Sequence, residues 1–210
     1  MGLFNFGKKK QKKMTSEEIR AEMYKNNTMG YRDRKDRLDY QNSLIDKVNE
    51  ANEQYKDDIN KLIEVYEFAF YKSDPPCASS QNLKLVDMYL KTNQNDNAWG
   101  YLNFLYAGNH APKEKIRFLQ AKILKKENKH IDAIEMFMLG HLKNSEWNNT
   151  FQKDIFLKDI APSANKLKWN SEKREYLAYL VENSVKQRKY GESALSNAFR
   201  KSVSDFEWCD

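Results

Sequence analysis

Residue types able to do chemistry are few in this chain, and their spacing does not suit it. Metal-assisted hydrolysis needs imidazoles or carboxylates converging in ligand geometry, such as two histidines four apart on one helix with a glutamate between them. The three histidines, His110, His130 and His141, are predicted in a loop, at a helix start and late in a helix, and none forms a metal-ligand pair within one helix. A phosphate cradle needs a glycine-rich loop, but the seven glycines are scattered. Neither a serine elbow nor a cysteine beside a helix-borne histidine occurs. We therefore expect no catalytic residue, no metal and no cofactor. The cluster that stands out is cationic: Lys8, Lys9, Lys10, Lys12 and Lys13 follow Leu3, Phe4 and Phe6 in a stretch without an acid. Each lysine close to an anionic bilayer contributes about 1 kcal/mol, so this arm would give weak, salt-sensitive adhesion rather than anchoring.

Those five lysines account for most of the formal net charge of +6, leaving 31 basic against 30 acidic residues in the remainder. The body is close to neutral, so nucleic acid is not the expected partner; phosphate contact would be confined to the arm. The elements behind these residues read as helices. Hydrophobic residues make up 40% and charged residues 31%, with only 7 Gly and 4 Pro, too little punctuation for an all-β fold. At 210 residues the chain is long enough for one domain with an appendage. Cys77 and Cys209 do not form a disulfide framework, which suits a reducing cytoplasm. No apolar run of about 18 residues is present, and the arm places its apolar residues before its lysines, the reverse of a signal peptide.

Residues 1–33 are expected as a mobile basic arm. Residues 34–72 read as one long helix with a heptad seam of Leu38, Ile45, Val48, Tyr55, Ile59, Leu62, Tyr66 and Ala69, interrupted by Gln41 and Asn52. Such a helix either forms a homodimer through its seam or folds back on its own domain. After a break around Pro75 and Pro76, residues 73–144 read as two helix pairs, 83–92 with 96–106 and 113–126 with 130–143. Asn93 and Asn128 sit at matching turns, where a residue tolerant of left-handed backbone is needed. Residues 145–210 are expected as a helical cap: a helix over 151–160, a loop over 161–169 holding Pro162, a helix from Asn170 as N-cap to 188, and a last helix over 192–206.

The triplets Leu62, Tyr66, Ala69, then Ala98, Leu102, Leu105, then Ala133, Phe137, Gly140 recur 36 and 35 residues apart. A period in this range indicates stacked helical hairpins, each burying its apolar face on a neighbour. Leu85, Val86, Tyr89, Ala98 and Leu102, and then Gln120, Ala121, Leu124, Ala133 and Phe137, follow the Leu, Gly, Tyr, Ala, Phe order of a tetratricopeptide repeat. The chain resembles that family over residues 60–143, with Val86 or Ala121 at the glycine position, no first-helix Trp and no closing Pro.

The expected fold is all-α: a long N-terminal helix, a short array that the resemblance implies is tetratricopeptide-like, and a helical C-terminal cap. The resemblance also implies a non-catalytic scaffold or adaptor, with a groove lined by the first helix of each pair. The groove positions are Leu83, Asp87, Leu90 and Lys91 from one pair and Lys115, Phe118, Lys122, Lys125 and Lys126 from the next. Lysines around one aromatic ring suit an acidic peptide or a C-terminal carboxylate. The expected location is cytoplasmic or membrane-peripheral, and the alternative function is a membrane-surface or nucleic-acid-associated role through the basic arm.

Overall fold

The computed structural model describes Glu18, residues 34–72 and residues 81–207. Among the described residues there are nine α-helices, one π-helical turn and no strand, so the fold is all-α. No described helix is long and apolar enough to cross a membrane. The chain divides into two compact units, residues 1–76 and 77–210.

In the first unit the expected single helix is two. Helix α1 spans Arg34–Gln54 and α2 spans Ile59–Glu67, continuing into a π-helical turn at Phe68–Lys72. The break falls at the charged run Lys56, Asp57, Asp58. Asp58 leaves helical geometry at φ −125° and ψ 82°, and its carboxylate accepts the Lys61 N–H at 3.2 Å, an N-cap that restarts the chain. Helix α1 packs on α2 and on the π turn. Its buried face is Tyr40, Leu44, Val48, Ala51 and Tyr55, whereas Leu38, assigned to the seam, is 56% exposed. Asn52 is half-buried and pairs with the Tyr66 hydroxyl of α2 at 3.0 Å. Burial pushes the Tyr66 phenol above its ordinary value.

The second unit contains α3 (Asn82–Lys91), α4 (Asn95–Gly108), α5 (Lys113–Lys126), α6 (His130–Asn148), α7 (Lys153–Lys166), α8 (Ser171–Lys186) and α9 (Glu192–Glu207). One device closes its connections. Asn93, Asn109, Asn128, Asn149, Lys168 and Arg188 all hold left-handed backbone, with φ between 52° and 59°. At five of these turns the following N–H reaches back to a carbonyl five residues earlier: Gln94 to Tyr89 (2.8 Å), His110 to Leu105 (3.0 Å), Lys129 to Leu124 (2.9 Å), Trp169 to Ala164 (2.9 Å) and Lys189 to Ser184 (2.8 Å). This is the Schellman closure, which satisfies carbonyls the helix end would otherwise leave unbonded.

Consecutive helices pack pairwise from α3 to α9, and α6 also contacts α8 and α9, so the C-terminal helices gather about α6. Ala98 and Ala133 are fully buried. A Cβ at Gly140 of α6 would lie 2.5 Å from the Phe118 ring of α5, which makes this a close helix crossing. Leu195, Phe199 and Val203 dock α9 on the core that Phe137, Met138 and Phe156 build.

In the second unit, two boundaries differ by more than two residues from the sequence reading. Helix α6 runs five residues beyond 143, and α7 passes through Pro162 where a loop was expected. Proline removes the rung to the Lys158 carbonyl, but both residues are exposed and water can take that carbonyl. Phe156, Ile160, Ser163 and Ala164 keep the helical face buried on both sides of the proline. Asn170 caps α8 as expected, its side chain accepting the Lys173 N–H at 2.9 Å.

Candidate binding surface

Helices α3 and α5 run side by side in the same direction, tied near both ends. At the start, Asn82 Nδ2 donates to the His110 carbonyl, just ahead of α5, at 2.9 Å. At the far end, Lys126 Nζ donates to the Leu90 carbonyl of α3 at 3.3 Å. Each helix turns its apolar face inward: Leu85, Val86, Met88 and Tyr89 from α3, and Ile116, Ala121, Ile123 and Leu124 from α5. What remains outside is charged, namely Lys84, Asp87 and Lys91 on α3 and Lys115, Lys122 and Lys126 on α5.

Eight of the nine groove positions therefore fall on or beside this face. Asp87, Lys91, Lys115, Lys122 and Lys126 are exposed, and Leu83, Leu90 and Lys125 are half-buried at its margin. Phe118 is the exception. Its ring turns toward α6, with centroids 5.1 Å from His141 and 6.3 Å from Phe137 and its edge against Gly140. The reason is volume: Gly140 leaves a gap that an aromatic ring fills. Leu119, half-buried one turn from both Lys115 and Lys122, supplies apolar surface on the outer side instead. The sequence reading also left out Lys84, whose signal was its place seven residues ahead of Lys91.

The lysines on this face are not spent on internal ion pairs. Among the described residues, no carboxylate lies within ion-pair distance of Lys84, Lys91, Lys115, Lys122 or Lys125, whereas Lys129, Lys143, Lys153 and Lys186 each hold one. The half-buried Arg117 on the same helix behaves differently. Its guanidinium grips both oxygens of Glu192, donates to Gln120 Oε1 at 2.8 Å and lies 4.2 Å over the Tyr106 ring. Burial penalises its charge, but Glu192 and Tyr106 together outweigh this and hold Arg117 above its ordinary value. That pair pins α9 to α5 and is structural. Arg200 does the same further along α9, bonding Asp132 (2.6 Å) and Glu135 of α6.

The histidines stay apart. His110 stacks on Phe104 at 5.2 Å, His130 Nδ1 lies 3.4 Å from Ser163 Oγ, and His141 is buried among Phe118, Phe151 and Phe156 with Nε2 on Asp159 Oδ2 at 2.9 Å. Burial pushes His141 below its ordinary value, partly countered by Asp159. No group of three or more His, Cys, Asp or Glu able to hold a metal occurs among the described residues. A cleft of about 680 Å³ opens at the start of α5, lined by Asn109, Ala111, Pro112, Lys113, Glu114, Lys143 and Glu146. Its Lys143 is committed to Glu146 and the Tyr190 carbonyl, and its Lys113 sits over Tyr106. The basic arm, Lys8, Lys9, Lys10, Lys12 and Lys13, and both cysteines lie outside the described residues. No protein-family model matches the chain, and no curated protein and no solved structure matches it either.

Proposed function

We propose that this protein is a non-catalytic helical scaffold that binds an acidic protein segment on the lysine-bearing face of α3 and α5. The observation that carries the reading is that row of exposed lysines without carboxylate partners among the described residues, on two helices tied at both ends. Because the helices are already in place, binding a carboxylate segment there orders lysine side chains but no protein backbone. Half-buried Leu83, Leu90 and Leu119 add apolar contact between the charges. The tetratricopeptide resemblance supports the same face, since the first helix of each pair lines the groove in that family.

The test is a titration of a fluorescein-labelled glutamate-rich peptide, read by anisotropy. Lys122→Glu with Lys126→Glu should weaken binding at least about tenfold, while Lys8→Glu with Lys9→Glu, the same change in net charge, should weaken it far less. If the arm pair has the larger effect, the arm is the binding element and the reading fails.

A further inference from the structure

We infer that what the α3 and α5 face takes is the carboxylate-bearing edge of helix α1 from a second copy of this chain. The inference rests on the binding reading above and names its partner. Helix α1 carries Leu38 with Asp39, then Ile45 with Asp46; helix α3 carries Leu83 with Lys84, then Leu90 with Lys91. Both sets repeat every seven residues, two helical turns or about 10.5 Å. Two helices packed at a shallow angle keep residues seven apart in step, so an apolar layer on one meets an apolar layer on the other while the charges beside them pair.

The two helices present the same layout with opposite sign. On α1 the core face is Tyr40, Leu44, Val48, Ala51 and Tyr55, and Asp39, Asp46 and Glu53 lie on the opposite side, exposed. Among the described residues these three carboxylates have no ion-pair partner, unlike Glu50, which pairs with Lys47 at 3.4 Å. Leu38 and Ile45 form the shoulder between the two faces, and Leu38 is among the few large apolar side chains left exposed. On α3, Lys84 and Lys91 are likewise exposed and Leu83 and Leu90 half-buried beside them. Lys115, Lys122 and Lys126 of α5 extend the cationic side, so an α1 lying along α3 has lysines within reach on two helices. With 21 residues, α1 is long enough to cover all 10 of α3.

Helix α1 as a whole holds five acids and four bases, so what each copy offers is its outward edge of Asp39, Asp46 and Glu53, opposite one lysine face. Reciprocal exchange of α1 between two copies satisfies both faces, and that two-fold dimer is the assembly proposed. With two apolar layers and charge pairing for the rest, its association should be modest and salt-sensitive.

The experiment measures the mass of the full chain by sedimentation velocity over a range of concentrations, with peptide titration and circular dichroism alongside. The wild type should dimerise with concentration at low salt and return to monomer at high salt. Asp39→Lys with Asp46→Lys, and separately Lys84→Glu with Lys91→Glu, should each stay monomeric with unchanged helical content. Mixed in equal amounts, those two variants should form a dimer, because reversed α1 then meets reversed α3 while native α1 meets native α3. A wild type that is monomeric throughout, or a mixture that stays monomeric, overturns the inference. If the wild type binds the glutamate-rich peptide yet never dimerises, the binding reading stands and only the partner is wrong.

Discussion

Replacing Gly140 by alanine sets two effects of known size against each other at the α5 and α6 crossing. Helix propensity alone favours Ala over Gly inside a helix by about 0.8–1.0 kcal/mol. The structure opposes it, because the new methyl would lie 2.5 Å and 2.7 Å from two atoms of the Phe118 ring. Van der Waals contact needs roughly 3.5–4.0 Å between carbons, so either the ring or the helix must move by about an ångström. The ring has little room, since it already rests on His141 and Phe137. Overpacking of this kind costs about 1–3 kcal/mol, which leaves a net loss of up to about 2 kcal/mol after the propensity gain.

The assay is urea unfolding followed by circular dichroism, with the midpoint falling in Gly140→Ala. Phe118→Leu in the same background removes the ring atoms that clash, so its own cost should shrink there by at least about 0.5 kcal/mol relative to the native background. A Gly140→Ala chain more stable than the wild type would refute the close crossing.

Other consequences follow from groups already placed. Lys168→Gly and Arg188→Gly relieve side chains held at φ 56° and 53°, and each should raise stability by about 0.5–1 kcal/mol in thermal unfolding; a loss at either site would mean the side chain makes a contact worth more than the strain. Because burial keeps the folded-state value of His141 below its unfolded value of about 6.5, stability should be full above that pH and fall on acidification below it. Urea midpoints at about pH 7.5 and pH 5.5 should show a smaller acid loss in His141→Phe, and equal losses would remove His141 as the cause. Arg117→Met leaves Glu192 half-buried without its cation and should cost about 3 kcal/mol, with Arg117→Met plus Glu192→Gln recovering part of it in the same assay.

Much of the second unit is legible in the sequence, for a physical reason. Asn93 and Asn128 were expected to be left-handed, and they are, because Asn among ordinary residues adopts that backbone most cheaply. Lys168 and Arg188 do the same work with residues that carry no such signal. The bounds of α5 were legible because Pro112 precedes it and Asn128 closes it; Pro162 misled because a proline on an exposed helix face costs one rung, not the helix. The break after α1 was hidden because Tyr55 and Ile59 continue the heptad spacing across it. A helix and a helix pair can share that pattern, and only the Asp58 cap distinguishes them. Of the candidate face, the lysine positions could be read from periodicity. The inward turn of Phe118 could not, since it depends on the gap at Gly140, a residue 22 positions away.

The central claim is that an acidic segment binds the lysine face of α3 and α5. Amide chemical-shift mapping of the isotope-labelled chain with an unlabelled glutamate-rich peptide tests it most directly. The account predicts saturable shifts concentrated in residues 83–91 and 115–126. Shifts confined to residues 1–13, or spread evenly over surface lysines on every helix, would contradict it.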